Sequence, residues 1–150
     1  MIKKDRYSDR ILQILKVDGR VSNIDLAQRV GLSPSACLRR VQELERSGVI
    51  SGYRAILDGS KLGVGFVAYV AVGLKDHSKA AQLAFEAAIS ESSEVRECHN
   101  VTGSFEYLLR VECENLGAYK VFHSDTLGGI PEVTGISSYV VMDSPKDERG

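Results

Sequence analysis

No stretch of this chain stays apolar for anything near the ~18 residues a membrane-spanning helix needs, so no membrane partner is expected. Cysteine is scarce. Cys37, Cys98 and Cys113 are odd in number, far apart and without CxxC spacing, which argues against a disulfide framework or a zinc site. The opening MIKKDRYSDR has lysines but no apolar segment behind them, unlike a secretory leader. Asn100-Val101-Thr102 is then a chance match to a glycosylation sequon, and a cytoplasmic, reducing location is expected. Catalytic signatures are missing too: no P-loop, no GxGxxG after a strand, no Ser/His/Asp ordering. His99 adjoins Cys98, but neighbours on a strand point to opposite faces, a poor arrangement for one metal. His77 falls in a loop and His123 on a helix. Glu112 and Glu114 lie on one strand face with no partner acid or base, so they read as solvated. No enzyme, metal site or cofactor is expected.

What is present is a 150-residue chain, long enough for one medium domain or two small ones. Its net charge of −1 hides an asymmetry. Residues 1–60 carry 11 Lys/Arg against 7 Asp/Glu, a net +4, and residues 61–150 carry 8 against 13, a net −5. A basic front and an acidic rear suggest that only the front meets a polyanion. The shift falls at the glycine-rich Asp58-Gly59-Ser60-Lys61-Leu62-Gly63-Val64-Gly65, read as a linker over 58–65. That places one domain at 1–57, a second at 66–142 and a tail at 143–150.

Three helical patterns follow one another in the front half. Ile11, Leu12 and Leu15 mark the first, which stops near Asp18-Gly19. Ser22-Asn23-Ile24-Asp25 reads as a capping box opening the second, whose buried stripe is Leu26, Ala27 and Val30 and whose stop is Gly31. Ser33 is a good N-cap and Pro34 suits the first helical position, so a third helix runs from Ser33 to about Ser47, with Gly48 as its stop. Val49-Ile50 and residues 53–57, turning at Ser51-Gly52, read as a short hairpin. Tightly spaced helices followed by a hairpin describe a winged helix-turn-helix.

Behind the linker the order is strand, helix, strand, strand, helix, strand: 66–74, 78–90, 95–102, 107–113, 116–127 and 133–142. This βαββαβ order is the split-βαβ, ferredoxin-like arrangement, giving an α+β chain overall. Leu83, Ala84, Ala87 and Ala88 are expected inward on the first of these helices, and Leu116, Tyr119, His123 and Leu127 on the second. The strand FVAYVAVGL is apolar at both alternating sets, whereas a sheet with one wet face should alternate. Both faces are therefore expected to be covered, one by helices and the other by a second subunit.

In a helix-turn-helix the second paired helix enters the major groove and reads bases from its N-terminal turns. At 100° per residue, Cys37, Val41 and Leu44 share the core side of the third helix. Ser35, Arg39, Gln42 and Arg46 share the opposite side, with Arg40 on the flank. Ser33 and Ser35 offer hydroxyls and free backbone N–H groups at the positive end of the helix, suited to a phosphate. Arg39 can bridge a guanine edge and Gln42 an adenine, while Arg40 is expected on the backbone. Arg20, Arg29 and Arg54 are further candidate phosphate contacts.

Residues 22–63, above all DLAQRVGLSPSACLRRVQELERSGVISGYRAILDGSKLG, resemble the DNA-binding half of the Lrp/AsnC (leucine-responsive/asparagine-type) transcription regulators. TGSFEYLLRV and GIPEVTGISSYVVM resemble the C-terminal effector (RAM) domain of that family. The resemblance spans roughly residues 9–142 and implies a regulator binding double-stranded DNA at a pseudo-palindromic operator. It also implies sheet-to-sheet homodimers assembling to tetramers or octamers, with a small amino acid bound at inter-dimer contacts. The implied ligand turn is Thr102, Gly103, Ser104, Phe105 and Glu106, whose amides would receive the carboxylate and whose acid the amine. Ile136 and Ser138 correspond to two inward positions on the last strand. Glu106 stands where aspartate is usual and Ile136 where threonine is common. An alternative is an amino-acid-sensing module acting on a partner enzyme, which leaves the basic front without a role.

Overall fold

The structure, a computed structural model, describes residues 5–148. The first four residues of the basic front and the last two of the tail lie outside the described residues. The chain divides into two compact units after Leu57.

In the first unit, α1 (Arg6–Val17), α2 (Asn23–Val30) and α3 (Pro34–Arg46) each begin on a side-chain cap. Asp5 accepts from the Ser8 amide, Ser22 from the Asp25 amide and Ser33 from the Ala36 amide, each satisfying a backbone donor that the helix leaves open. Helix α2 ends at Gly31, whose φ of 77° is the left-handed region that glycine enters without strain. The Asn23 side-chain amide donates to the Pro34 carbonyl at 2.9 Å and so pins the start of α2 to the start of α3. Ile11, Leu26, Ala27, Val30, Cys37 and Leu44 form the buried core, with Val41 half-buried against it.

The expected hairpin is a correction. Residues 49–57 form no strand and run as an irregular, largely exposed arm. A two-stranded ribbon with no third strand or packed face is marginal in water, and Val49, Tyr53 and Ile56 are all exposed. The Tyr53 hydroxyl anchors the arm to α3 by donating to Glu45 Oε1 at 2.8 Å. Partial desolvation of the hydroxyl where it meets α3, reinforced by that carboxylate, pushes the phenol up to about 12.

In the second unit, a 3-10 turn (Gly59–Leu62) leads to β1 (Phe66–Leu74), α4 (Lys79–Ser90), β2 (Val95–Asn100) and β3 (Tyr107–Cys113). Helix α5 (Leu116–Val121) passes directly into a π-helical turn (Phe122–Leu127), and β4 (Val133–Val140) closes the fold. The sheet order is β2-β3-β1-β4, with every neighbouring pair antiparallel. Strand β1 is central, with Ala68 opposite both Val111 and Val140. Ala68, Val70, Val72 and Leu74 point to the helices, where they meet Leu109, Val111, Phe85, Ile89 and Phe122.

Both helix stripes differ from expectation. Helix α4 buries Ala81, Phe85 and Ile89, a strict i, i+4, i+8 row, and leaves Leu83, Ala84, Ala87 and Ala88 exposed. Many alanines blur the apolar periodicity, and the bulkier Phe85 and Ile89 set the rotation. After α5, Tyr119, Phe122 and Leu127 are buried, Leu116 is exposed and His123 is only half-buried. The five-residue step from Phe122 to Leu127 is the spacing of a π turn, which a 3.6-residue period does not anticipate.

Candidate functional site

Helix α3 exposes Ser35, Arg39 and Gln42 on the side away from Cys37 and Leu44. Burial raises the Cys37 thiol, as suits a core group. Ser33 and Ser35 hydroxyls lie 3.3 Å apart at the helix start, both exposed. Arg39 and Gln42 make no hydrogen bond or ion pair among the described residues, so both are available to an outside partner. Arg46, on the same side one turn later, is paired with Glu43. Arg29 lies in the last turn of α2 and Arg54 on the arm, both exposed.

Arg40, on the flank and expected on the DNA backbone, is engaged within the protein. Its Nη1 donates to Asp5 Oδ2 at 2.5 Å and to the Ser8 hydroxyl at 3.3 Å, and its guanidinium carbon lies 5.3 Å from the Tyr7 ring centre. The Asp5 carboxyl falls from 3.8 to about 2, chiefly because it accepts the Ser8 backbone N–H and next because of Arg40. Three residues of α1 and its cap thus hold a charge that the sequence alone assigns to DNA.

The β2–β3 turn is the second candidate. Gly103 has a φ of 138°, a conformation that side chains disfavour. Thr102, Gly103 and Ser104 are exposed and Phe105 is half-buried. The backbone amides of residues 102–105 donate to no acceptor among the described residues, leaving a run of free N–H groups. Glu106 closes the turn: its amide donates to the Val72 carbonyl at 3.1 Å, and its own carbonyl accepts from the Val101 amide at 2.9 Å. Its carboxylate accepts the Leu74 amide at 2.7 Å through Oε2 and meets His77 Nδ1 at 2.8 Å through Oε1. Glu106 is therefore held against the end of β1, and His77, assigned only to a loop by the sequence, is its partner.

Ile136 pairs with Val72 across the sheet and packs half-buried against the core, so it borders the same end of β1 as Glu106. Ser138, two residues on and opposite Val70, shares a hydrogen bond with the Tyr119 hydroxyl. The structure thus gathers Glu106, His77 and Ile136 at one end of β1 and ties Ser138 to α5. An anionic group suits the free amides, and a cationic one suits Glu106.

The sheet face away from the helices carries Val67, Tyr69 and Ala71 from β1, Leu108 and Arg110 from β3, and Tyr139 from β4. Arg110 and Arg96 both bond Glu112. Burial opposes ionisation of Glu112, but the two guanidiniums prevail and its carboxyl is lowered. Arg110 is itself buried, and its Nε finds no acceptor among the described residues.

Comparison with known proteins bears on both sites. Residues 4–51 match a family described as winged helix-turn-helix DNA-binding, and residues 67–150 match the Lrp/AsnC ligand binding domain. The chain is 40% identical to the leucine-responsive regulatory protein of Salmonella typhimurium, over 97% of this chain and 88% of that protein. The Escherichia coli K12 protein of the same name is 39% identical over the same shares. Among solved structures, a transcriptional regulator from Neisseria meningitidis in complex with L-Met superposes with a TM-score of 0.92 at 34% identity, covering 97% of this chain and 94% of that one. An AsnC family regulator from Agrobacterium tumefaciens gives 0.90 at 35% identity, covering 96% and 94%.

Proposed function

The chain belongs to the Lrp/AsnC family and is a DNA-binding transcription regulator with an amino-acid ligand-binding domain, not an enzyme; from that premise we propose which residues meet each partner. On the DNA, Arg39 and Gln42 read base edges in the major groove, and Ser33 and Ser35 at the start of α3 take a phosphate. Arg29 and Arg54 add phosphate contacts. The observation that carries this reading is the unpaired, outward state of Arg39 and Gln42 on a helix whose opposite side is core.

The effector is a small amino acid. Its carboxylate is received by the free amides of Thr102, Gly103, Ser104 and Phe105, and its ammonium by Glu106. Ile136 makes that end of the pocket apolar, and Ser138 lines it further along β4. The apolar sheet face pairs with the same face of a second copy, and these homodimers assemble into tetramers or octamers. Two copies of α3 then meet half-sites about one helical turn apart on a pseudo-palindromic operator. The protein works in the cytoplasm, where both ligands are found.

The deciding experiment is a titration of Arg39→Ala against genomic duplex from upstream of the chain's own coding sequence and against duplex of mixed sequence. A bidentate Arg–guanine contact is worth roughly 1–3 kcal/mol of discrimination. Arg39→Ala is expected to lose about 10-fold on the preferred duplex and much less on the mixed one. Equal retention on both would remove Arg39 from the reading face.

A further inference from the structure

We propose that Arg40 is a positioning residue: it sets the angle of the base-reading helix by clamping α3 to the first turn of α1, and it does not contact DNA phosphate. The inference rests on the DNA-reading role of α3 and concerns a residue whose type and position on the helix flank otherwise suggest a backbone contact.

The clamp has three parts, all at the start of α1. Asp5 uses one carboxylate oxygen to cap the helix, accepting the Ser8 amide at 2.8 Å, and offers the other to Arg40 Nη1 at 2.5 Å. The Ser8 hydroxyl accepts from the same nitrogen at 3.3 Å, and Ser8 is buried. The Tyr7 ring lies under the guanidinium at 5.3 Å, within the range of a cation–π contact. One residue thus meets the cap oxygen, a buried hydroxyl and an aromatic face.

Two physical consequences separate this arrangement from a phosphate contact. A phosphate approaching Arg40 would have to displace a carboxylate that is already bonded in place. A guanidinium neutralised within the protein also releases no counterion on binding, so it contributes nothing to the salt dependence, which otherwise amounts to about 0.9 per phosphate neutralised. Its effect on DNA passes through Arg39 and Gln42: rotating or translating α3 spoils base contacts before it spoils general attraction.

The test compares Arg40→Gln, which retains much of the side chain, Asp5→Ala and the double variant. Each is titrated over a range of salt against the upstream duplex and a mixed-sequence duplex, well below its measured Tm. Positioning predicts that each single variant lowers the ratio of preferred to mixed binding by about 3- to 10-fold. It also predicts that the double variant loses no more than either single one and that the slope of log affinity against log salt is unchanged. The opposite pattern overturns the proposal: Asp5→Ala binding more tightly because Arg40 is released, and Arg40→Gln reducing the slope by about 0.9. Unchanged preference in both single variants overturns it as well. Wild-type protein retaining neither duplex would instead refute DNA reading by α3, a distinguishable result.

Discussion

Asp5 shows how much one side chain carries in this structure. Its carboxyl is lowered from 3.8 to about 2, so its ionised form is favoured by folding. A depressed acid contributes stability that is present above its unfolded value and lost as pH falls toward its folded value. Asp5→Asn preserves an acceptor for the cap and removes only the charge. The variant is expected to be less stable than wild type above about pH 4, with the gap closing toward about pH 2, as read from urea midpoints at each pH. Glu106 gives a second test. Glu106→Gln retains an acceptor for the Leu74 amide but no longer balances an ammonium. Calorimetry with the amino acid that binds the wild-type protein best should show affinity reduced at least about 10-fold while DNA binding persists. Unaltered titration curves would remove Glu106 from the pocket. The caps at Ser22 and Ser33 were legible in the sequence because a cap and its amide are three residues apart. The Arg40–Asp5 pair, 35 residues apart, and the Leu74 and His77 contacts of Glu106 were not, since only the tertiary fold brings those groups together.

At the scale of elements, periodicity gave the order and type of nearly every helix and strand and misjudged the rotation of two helices. In α4 the alanines offer little area to either side, so burial follows Phe85 and Ile89. Phe85→Ala is expected to cost about 3 kcal/mol or more in urea denaturation, and Leu83→Ala about 0.5 or less. Reversed magnitudes would reinstate the stripe inferred from sequence. Beyond α5, the π turn rotates His123 away from the core and brings in Phe122, a shift no 3.6-residue template contains. The arm after α3 has the composition of a hairpin but no third strand to complete it, so its β-favouring residues remain unpaired and exposed. On α3 itself the division was readable in advance, because a single helix surrounded by two others must bury one side and release the other.

For the molecule as a whole, the doubly apolar β1 pointed to a covered second face, and that face carries Val67, Tyr69 and Leu108, on the side away from the helices that pack on Val70 and Val72. Val67→Glu places a second carboxylate beside Glu112 on the face proposed for the dimer contact, without touching the helix-side core. Sedimentation is expected to show monomer where wild type is oligomeric, and operator binding should weaken as the two half-sites lose their linkage. A variant that sediments like wild type would move the contact elsewhere. The sequence contained no sign of what lies at the heart of this face: Arg110, sealed from water with Nε unmatched, beside an ionised Glu112. In a two-fold dimer, whatever one copy lacks its mate lacks as well. Because Nε is already enclosed within its own chain, each copy carries that cost, roughly 1–3 kcal/mol, whatever docks against it. The Arg110–Glu112 pair beside it still marks an otherwise greasy surface with fixed charges, and sheets that slid over one another would set those marks against like partners or bare hydrocarbon.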